Sequence, residues 1–424
     1  MPTESRIRVA QVLHGVFGQG SRIPDTWDAD LSREDAAFAN ALLGLCVRRW
    51  GRLQAYVSPR LKTPERGLPL GSQVMLAMGL AQLAWLSGVS SHGAVNEIVE
   101  LTRDRAWGFP PHLGLVNAML RAGSRDREGL RQELDALPAS LDRSPFVERV
   151  LGEALAPWGQ EGRLEELWSS LQVPPDPVFK AVKPGSLPPG LEPVPGLPGA
   201  LALAPEAAFP REWLAAGAGM VQDSSSQAMM GFVWERPVRS ILDVCAAPGG
   251  KTTALFLRWP QAELLCLEQH ARRARRLEEN LKVRGIPARI QVEEACVWLG
   301  KEGPDFDLIL LDAPCSGSGT LRKHPELTWL GAGVDLERLI LTQRSLLQSA
   351  ARRLAPGGLL VYSVCSWLAA EGVEHRAGLL ASEPGLQAAP VWPGPAGNGL
   401  LDVFRPDPLH WVGEGFQAFA LKRS

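Results

Sequence analysis

The first third of the chain has its hydrophobic residues at helical spacing. Apolar side chains fall on one face of a helix over residues 7–17 and again over residues 95–102. Residues 74–86 are apolar nearly all round, which is typical of a helix buried at the centre of a bundle. The pattern therefore predicts an all-α domain over residues 1–140.

The middle of the chain has a different pattern. Helical spacing with one apolar face continues over residues 141–172. From Pro174 to Pro198 prolines crowd the chain, with glycines between them, so we expect extended or irregular backbone there. The sequence leaves open whether this stretch contains short strands. We interpret residues 141–219 as a helical and proline-rich connecting region.

From residue 220 onwards, runs of strand length alternate with helical segments. The runs are 240–244, 263–267, 288–292, one ending at Asp312, 358–364 and 416–421. An arginine-rich helix with an apolar inner face is predicted over residues 271–283. Repeated strand–helix units are typical of an open, doubly wound sheet, so residues 220–424 are predicted to form an α/β, Rossmann-like domain.

The composition fits a globular protein of more than one domain. The chain has 424 residues, of which 45% are hydrophobic and 21% charged. No apolar run has the length of a membrane span, and the N-terminus lacks the apolar core of a signal peptide, so we expect a cytoplasmic protein without membrane contact. The net charge of −2 gives no global sign of a nucleic-acid binder, so an RNA site has to be a local basic patch.

The cysteines divide into two groups by their surroundings. Cys46, Cys266 and Cys296 lie in apolar stretches and are interpreted as small core residues. The other three follow predicted strands, at Cys245, Cys315 and Cys365. Because the six have no paired metal-ligand spacing, we expect free thiols and no metal site.

A turn of small residues follows the first strand of the α/β domain. It consists of Cys245, Ala246, Ala247, Pro248, Gly249, Gly250 and Lys251. Small residues let a ligand approach the backbone closely, and the spacing matches neither the dinucleotide fingerprint nor a P-loop. Glu268 and Glu294 end the next two strands, where a carboxylate can accept hydrogen bonds from ribose hydroxyls and an adenine amine. Together these features favour a nucleoside-containing cofactor.

Reactive groups follow two further strands. Asp312 and Cys315 come at the end of one hydrophobic run, and Cys365 comes at the end of the next. In parallel sheets the chemistry lies just beyond the carboxyl ends of the strands. If the two strands are neighbours, two thiols and one carboxylate converge at one edge of the sheet.

These segments resemble the successive motifs of the RNA (cytosine-5) methyltransferases of the Nol/Nop/Sun family, which use S-adenosyl-L-methionine. Residues 221–227 and 414–416 are similar to two further motifs of that family, so the resemblance covers residues 220–424. The helical N-terminal region resembles the NusB-like RNA-binding domain. Such a pairing is similar to bacterial 16S ribosomal RNA methyltransferases, and it implies an all-α NusB-like domain followed by a Rossmann-like methyltransferase domain.

The resemblance also implies a role for each reactive residue. Cys365 would be the nucleophile that adds to carbon 6 of cytosine, which activates carbon 5 towards the methyl group. Asp312 would bind the cytosine edge and lie beside the cofactor. Cys315 would assist loss of the carbon 5 proton and release of the enzyme. Lys251 would either lower a thiol pKa or orient the base.

RNA contacts are expected from local cations. Arg322 and Lys323 follow the reactive loop and are predicted to bind RNA, as the resemblance implies. The four arginines within 272–276 are interpreted as a solvated helix face. The expected partner is 16S ribosomal RNA and the expected state is a monomer.

Two alternatives remain open. The same chemistry on transfer RNA or 23S ribosomal RNA is one, and a non-catalytic RNA-binding or antitermination factor is the other. The pair of cysteines argues against the second. The chain departs from the family pattern at Val364, where threonine is usual, at Glu268 and Glu294, where aspartates are usual, and at Glu371-Gly372, where a glutamate–asparagine pair is usual.

Overall fold

The computed structural model describes residues 3–24, 27, 31–103, 112–393, 399–411 and 413–424. Contacts divide the chain into two compact units. The first runs to Arg149 and also takes in His324–Val334, and the second comprises Val150–Lys323 and Asp335–Ser424. The limits of the three regions inferred from sequence remain a prediction.

The first unit is a helical bundle built around one buried helix. Its helices are α1 (Glu4–Gln19), α2 (Arg33–Arg48), α3 (Trp50–Val57), α4 (Leu70–Trp85), α5 (Ser91–Arg103), α6 (Leu113–Arg125) and α7 (Arg127–Ala136). Nearly every residue of α4 is buried, as its uniformly apolar sequence predicted. The prediction of an all-α N-terminal region is confirmed. No helix in the described ranges is both long and apolar enough to cross a membrane.

A distant segment of the chain, His324–Val334, packs into this helical unit. The indole of Trp329 donates a hydrogen bond to the carbonyl of Val47 at 2.8 Å, and its ring centroid lies 6.1 Å from that of Phe17. Gly331 lies so close to Phe146 that a Cβ there would be 2.1 Å from the ring. The sequence placed this segment within the α/β region, so its membership of the helical unit is a new finding.

Helix α8 (Pro145–Leu155) spans the boundary at Val150, and a second helix and a small antiparallel sheet follow it in the second unit. The elements that follow α8 are α9 (Leu164–Leu171), β1 (Val178–Ala181), β2 (Leu191–Pro193), β3 (Ala200–Leu203), α10 (Arg211–Ala215) and β4 (Gly219–Val221). The strands pair in the order β2-β3-β1-β4. Phe179 is fully buried on this sheet with Leu191 and Leu201. The proline-rich stretch therefore contains the short strands that the sequence left open.

The rest of the second unit is a doubly wound sheet. Its strands are β5 (Ser240–Val244), β6 (Glu263–Glu268), β7 (Arg289–Val292), β8 (Phe306–Asp312), β9 (Leu354–Val364), β10 (Leu386–Ala388), β13 (Val403–Phe404) and β14 (Gln417–Arg423), while β11 (Trp392–Pro393) and β12 (Leu400–Leu401) form a separate ribbon. The helices are α11 (Ser224–Met229), α12 (Gly250–Arg258), α13 (Ala271–Arg284), α14 (Ala295–Leu299), α15 (Leu327–Leu330, in the distant segment), α16 (Leu336–Arg352) and α17 (Val373–Ser382). The order of the main sheet is β10-β14-β9-β8-β5-β6-β7, with β13 beside β14. Strands β5 to β9 are mutually parallel, and β14 runs antiparallel to β9. The predicted Rossmann-like class is confirmed.

The sheet topology determines where ligands bind. The strand order reverses between β5 and β8, and ligands of doubly wound sheets bind at such a reversal, beyond the carboxyl ends of the strands. The side chains of β8 from Leu308 to Leu311 are completely buried, because helices cover both faces of the sheet there. The turn after β5 and the loop after β8 therefore face the expected ligand cleft.

Candidate active site at the strand ends

The turn between β5 and α12 has an unusual backbone. Cys245 has φ of +64° and Gly249 has φ of +101°, both in the left-handed region. A Cβ at Gly249 would lie 2.8 Å from the Leu277 side chain, so glycine is required for conformation and for space. The side-chain amide of Gln222 lies against Gly250, 3.4 Å from where a Cβ would be. The small residues of this turn thus allow it to pack closely against the side chains of Leu277 and Gln222.

Asp243 ties the turn to α12, and burial together with nearby acids keeps the thiol of Cys245 neutral. The carboxyl of Asp243 accepts a hydrogen bond from the Thr252 hydroxyl, which ties β5 to α12. Burial, reinforced by the charge of Asp312, raises the pKa of Asp243 to about 7 despite that hydrogen bond. Burial and then the charges of Asp312 and Glu268 raise the pKa of Cys245 to about 12. Cys245 is therefore a neutral thiol at physiological pH and a poor nucleophile.

Glu268 ends β6 with one oxygen that lacks a hydrogen bond. The side chain is 2% exposed, and Oε1 accepts from the backbone N–H of His270 at 3.0 Å. Oε2 has no hydrogen-bond donor in the described part of the chain, although the guanidinium of Arg273 lies 3.5 Å away. A buried carboxylate oxygen without a donor is costly. Ribose hydroxyls would supply the missing donors, so the residues present fit a nucleoside cofactor.

Glu294 lies at the end of the neighbouring strand, as predicted, but with its oxygens already engaged. It caps α14, accepting from the backbone N–H groups of Cys296 at 3.0 Å and Val297 at 2.8 Å. Each carboxylate oxygen still has a second lone pair. Its contact with an adenine amine therefore stays a prediction.

Arg273 is a site residue that sequence reasoning missed. Its Nη2 donates to the carbonyl of Ala247 in the turn at 2.9 Å, and its Nη1 faces Glu268. The neighbouring Arg272 and Arg275 are exposed, as expected for a solvated helix face. The signal for Arg273 was its place in the first turn of α13, directly after the strand that ends at Glu268.

Lys251 and Asp312 form an ion pair at the reversal of the sheet. Nζ of Lys251 lies 2.6 Å from Oδ2 of Asp312, and Ser363 donates to Oδ1 at 2.8 Å. The ammonium also lies 5.3 Å from the ring centroid of Phe416. Burial opposes the charge on Lys251, but Asp312 and then Cys365 outweigh it, so the pKa of Lys251 is raised. Lys251 is thus a cation that is paired with the Asp312 carboxylate and attracted by the thiolate form of Cys365.

The structure brings the two predicted reactive thiols into contact. Sγ of Cys315 lies 3.5 Å from Sγ of Cys365, at the ends of neighbouring strands β8 and β9. The hydrogen bond to Cys365 raises the pKa of Cys315 well above its usual range, and burial and the charges of Cys365 and Glu371 add to it. Cys315 therefore keeps its proton. The charge of a Cys365 thiolate would attract Lys251 and is one cause of the raised pKa of that lysine.

Two glycines let separate loops meet beside the thiols. Gly319 donates its N–H to the carbonyl of Cys365 at 3.1 Å and accepts from Gly415 at 2.8 Å. A Cβ at Gly319 would lie 2.0 Å from the Gly415 oxygen. Asp223 accepts from the backbone N–H of Glu414, at 3.2 Å for the nearer oxygen. These contacts bring the segments 221–227 and 414–416 to the site.

The predicted RNA contacts differ in their surroundings. Arg322 donates from Nε to the carbonyl of Val173 at 2.8 Å, so one edge of its guanidinium already has a protein partner. Lys323 is exposed. RNA binding by both residues remains a prediction.

Glu371 is the residue for which sequence reasoning proposed no role. It is completely buried after β9, and it accepts hydrogen bonds from the loops that carry both thiols. The serines that donate to it, Ser316 and Ser366, each directly follow a reactive cysteine. That pairing and the match of Glu371 to the glutamate of the family pattern were the available signals, but the sequence does not reveal which loops meet. No group of His, Cys, Asp and Glu in the described ranges is arranged to hold a metal ion.

Family models match both parts of the chain. A model described as 16S rRNA methyltransferase RsmB/F matches residues 235–399, and a model of the NusB family matches residues 3–125. The chain is 30% identical over 400 residues to the ribosomal RNA small subunit methyltransferase B of Klebsiella pneumoniae (strain 342), covering 89% of this chain and 90% of that protein. It is 29% identical over 412 residues to the protein of that name from Xanthomonas campestris pv. campestris, covering 91% and 90%.

Solved structures share the fold. The crystal structure of PH0851 superposes with a TM-score of 0.74 at 19% identity, over 100% of both chains. The structure of NSun6 from Pyrococcus horikoshii with SFG superposes with a TM-score of 0.50 at 17% identity, over 66% of this chain and 98% of that one. At these identities the likeness extends to the fold alone.

Proposed function

Because the chain belongs to the ribosomal RNA small subunit methyltransferase B family, we propose that it methylates carbon 5 of a cytosine in 16S ribosomal RNA through a covalent cysteine adduct. One observation carries this proposal. The sulfur atoms of Cys315 and Cys365 lie 3.5 Å apart beside the Lys251–Asp312 pair, where the strand order of the sheet reverses.

The methyl donor is S-adenosyl-L-methionine, which when bound supplies an electrophilic methyl group. The turn from Cys245 to Lys251 would hold it, with Oε2 of Glu268, which lacks a hydrogen-bond donor in the described part of the chain, accepting from the ribose hydroxyls. Arg273 orients that carboxylate and secures Ala247 of the turn. Asp312, 32% exposed, borders the same cleft.

The first half of the reaction uses Cys365. Its thiolate adds to carbon 6 of cytosine, forming an S–C bond and moving electron density to carbon 5, which then takes the methyl group. Lys251 stabilises the thiolate before attack. Asp312, paired with Lys251, would accept a hydrogen bond from the exocyclic amine of the base and fix the ring.

The second half requires loss of the carbon 5 proton and cleavage of the bond to Cys365. Once Cys365 is a thioether, it no longer offers Cys315 a thiolate acceptor, which is the largest cause of the raised pKa of Cys315. The pKa of Cys315 then falls, so its thiol releases its proton to solvent water more readily and the resulting thiolate can act as a base. We propose that Cys315 takes the carbon 5 proton, so that the double bond reforms and Cys365 leaves as thiolate.

The decisive experiment is methylation of 16S ribosomal RNA in vitro by the purified full chain. The expected product is 5-methylcytosine at one position, detected by bisulfite sequencing and by mass spectrometry of digested nucleosides. The parallel substrates are 23S ribosomal RNA and transfer RNA. Methylation of either in preference to 16S RNA, or of a base other than cytosine, would refute the proposal.

Glu268→Ala is expected to weaken S-adenosyl-L-methionine binding, because the ribose hydroxyls lose their acceptor. The loss should be about 1–3 kcal/mol, as for removal of one partner of a hydrogen bond to a charged group. Isothermal titration calorimetry measures it. Glu263→Ala, at the exposed opposite end of β6, is the matched control and should leave the affinity unchanged. Equal affinities of both variants would remove Glu268 from the cofactor site.

A further inference from the structure

Glu371 lies where the two thiol loops meet. Oε1 accepts from the backbone N–H of Ser316 at 2.7 Å and from the side-chain amide of Gln343 at 3.1 Å. Oε2 accepts from the hydroxyls of Ser316 at 2.5 Å and Ser366 at 2.6 Å. A single buried carboxylate therefore receives four hydrogen bonds. Such charge-assisted bonds are stronger than neutral ones and fix the geometry of their donors.

The network around Glu371 reaches both loops more than once. Ser318 and Ser366 share a hydrogen bond of 2.8 Å between their hydroxyls. The amide of Gln343, on α16, donates to the carbonyl of Pro314 at 2.9 Å as well as to Glu371. The backbone carbonyl of Glu371 accepts from the Tyr362 hydroxyl at 2.6 Å, which fixes the carboxylate relative to β9. The loop after β8 is thus tied to the loop after β9 through side chains.

Burying a carboxylate costs free energy that its hydrogen bonds must offset. An acid at this position is therefore expected to have a role that an apolar residue cannot fill. Ser316 directly follows Cys315, and Ser366 directly follows Cys365. Because each serine is one residue from a thiol, the carboxylate that joins the serines also limits how far the two sulfur atoms can separate. Parallel strands β8 and β9 alone do not fix this distance, since both thiols lie on loops beyond the last paired residues, Asp312 and Ser363.

We propose that Glu371 is a positioning residue that holds the thiols of Cys315 and Cys365 in contact by tying Ser316 to Ser366. The inference rests on the proposed two-cysteine reaction. The hydrogen bonds that the Glu371 carboxylate accepts in the described part of the chain come from Ser316, Ser366 and Gln343 and not from either thiol, so it acts through the serines. Its negative charge has a second effect, because it contributes to the raised pKa of Cys315.

The first test uses thiol chemistry without RNA. Diamide oxidises two adjacent thiols to a disulfide, and the two hydrogen atoms reduce its N=N bond to a hydrazine. In the wild-type chain we expect rapid formation of a Cys315–Cys365 disulfide, identified by peptide mass spectrometry. Glu371→Gln keeps the shape of the side chain but replaces one acceptor oxygen by a donor, so closure should slow by about 10-fold or more. Ser316→Ala/Ser366→Ala removes the two hydroxyl ties while keeping the acid and the backbone N–H bond of residue 316, and should also slow closure.

The second test measures turnover. A displacement of the thiols by about 1 Å is expected to lower kcat about 100-fold. Glu371→Gln should therefore lose kcat, with the dissociation constant of S-adenosyl-L-methionine within about twofold of wild type, because the cofactor turn is not part of the network. Glu374→Gln, which removes the same charge from an exposed position on α17, is the matched control and should behave as wild type.

A pH profile separates positioning from simple support of the fold. Without the charge of Glu371 the pKa of Cys315 falls, so Cys315 ionises at lower pH and no longer donates to Cys365. The alkaline limb of the kcat profile of Glu371→Gln should therefore shift to lower pH. A residue that only stabilises the fold would lower the melting temperature and leave this limb in place, and that result overturns the inference.

The two proposals fail in distinguishable ways. If diamide closes the thiols of Glu371→Gln as fast as those of the wild type, the positioning role is wrong, whatever the RNA product. If closure slows as expected but the wild-type enzyme forms no 5-methylcytosine, the positioning of the thiols stands and the cytosine chemistry fails.

Discussion

Cys365→Ala is expected to abolish methylation of RNA, with a loss of more than about 10⁴-fold in kcat. The reason is that carbon 5 of cytosine is activated only after a nucleophile has added to carbon 6, and neither Cys245 nor Cys315 can replace Cys365. Cys245 remains a neutral thiol because burial raises its pKa to about 12. Cys315 holds its proton for the reasons given above. Transfer of tritium from labelled S-adenosyl-L-methionine to 16S RNA measures the loss.

The matched variant for this prediction is Cys365→Ser. It keeps the size of the side chain and supplies a hydroxyl, which is not ionised at neutral pH, so it should be as inactive as the alanine variant. Cofactor affinity should stay near the wild-type value in both, because Cys365 is not part of the turn 245–251 that is proposed to hold the cofactor. Methylation above a tenth of the wild-type rate by Cys365→Ala would show that another group performs the attack.

The parts of the fold that could be predicted are those in which burial produces a recognisable run of apolar residues. Strand β8 is covered on both faces, so its positions are uniformly apolar and its end at Asp312 was predicted correctly. Strand β9 begins four residues earlier than the apolar run 358–364, at Leu354. The extension, residues 354–357, contains Pro356 and Gly357, and it pairs across a register shift, which no periodicity indicates.

Contacts between distant segments were beyond prediction. The strands of the small sheet have three or four residues each, too few to show alternation among the prolines. The hydrogen bond from Trp329 to Val47 joins residues 282 positions apart, so no local pattern records it. The same holds for the site. The approach of the thiols followed from parallel neighbouring strands, whereas the role of Glu371 depends on two loops meeting over it.

Cys315→Ala is expected to trap a covalent complex with RNA. Attack by Cys365 and transfer of the methyl group do not require Cys315 in the proposed sequence, but loss of the carbon 5 proton does. Because the intermediate is then formed faster than it breaks down, it accumulates. We expect a protein–RNA band that survives denaturing electrophoresis, with turnover lowered by about 10²–10⁴-fold, the usual contribution of a general base.

The control for this prediction is the double variant Cys315→Ala/Cys365→Ala, which should trap no RNA because it lacks the nucleophile. Omission of S-adenosyl-L-methionine gives a second control, since the methylated intermediate cannot then form. The direction of the result decides the assignment of the two thiols. The distance of 3.5 Å between the sulfur atoms does not distinguish the two thiols. The raised pKa of Cys315 and the attraction between Lys251 and Cys365 do distinguish them. If Cys365→Ala traps RNA and Cys315→Ala is merely inactive, then Cys315 is the nucleophile and the electrostatic argument for Cys365 is wrong.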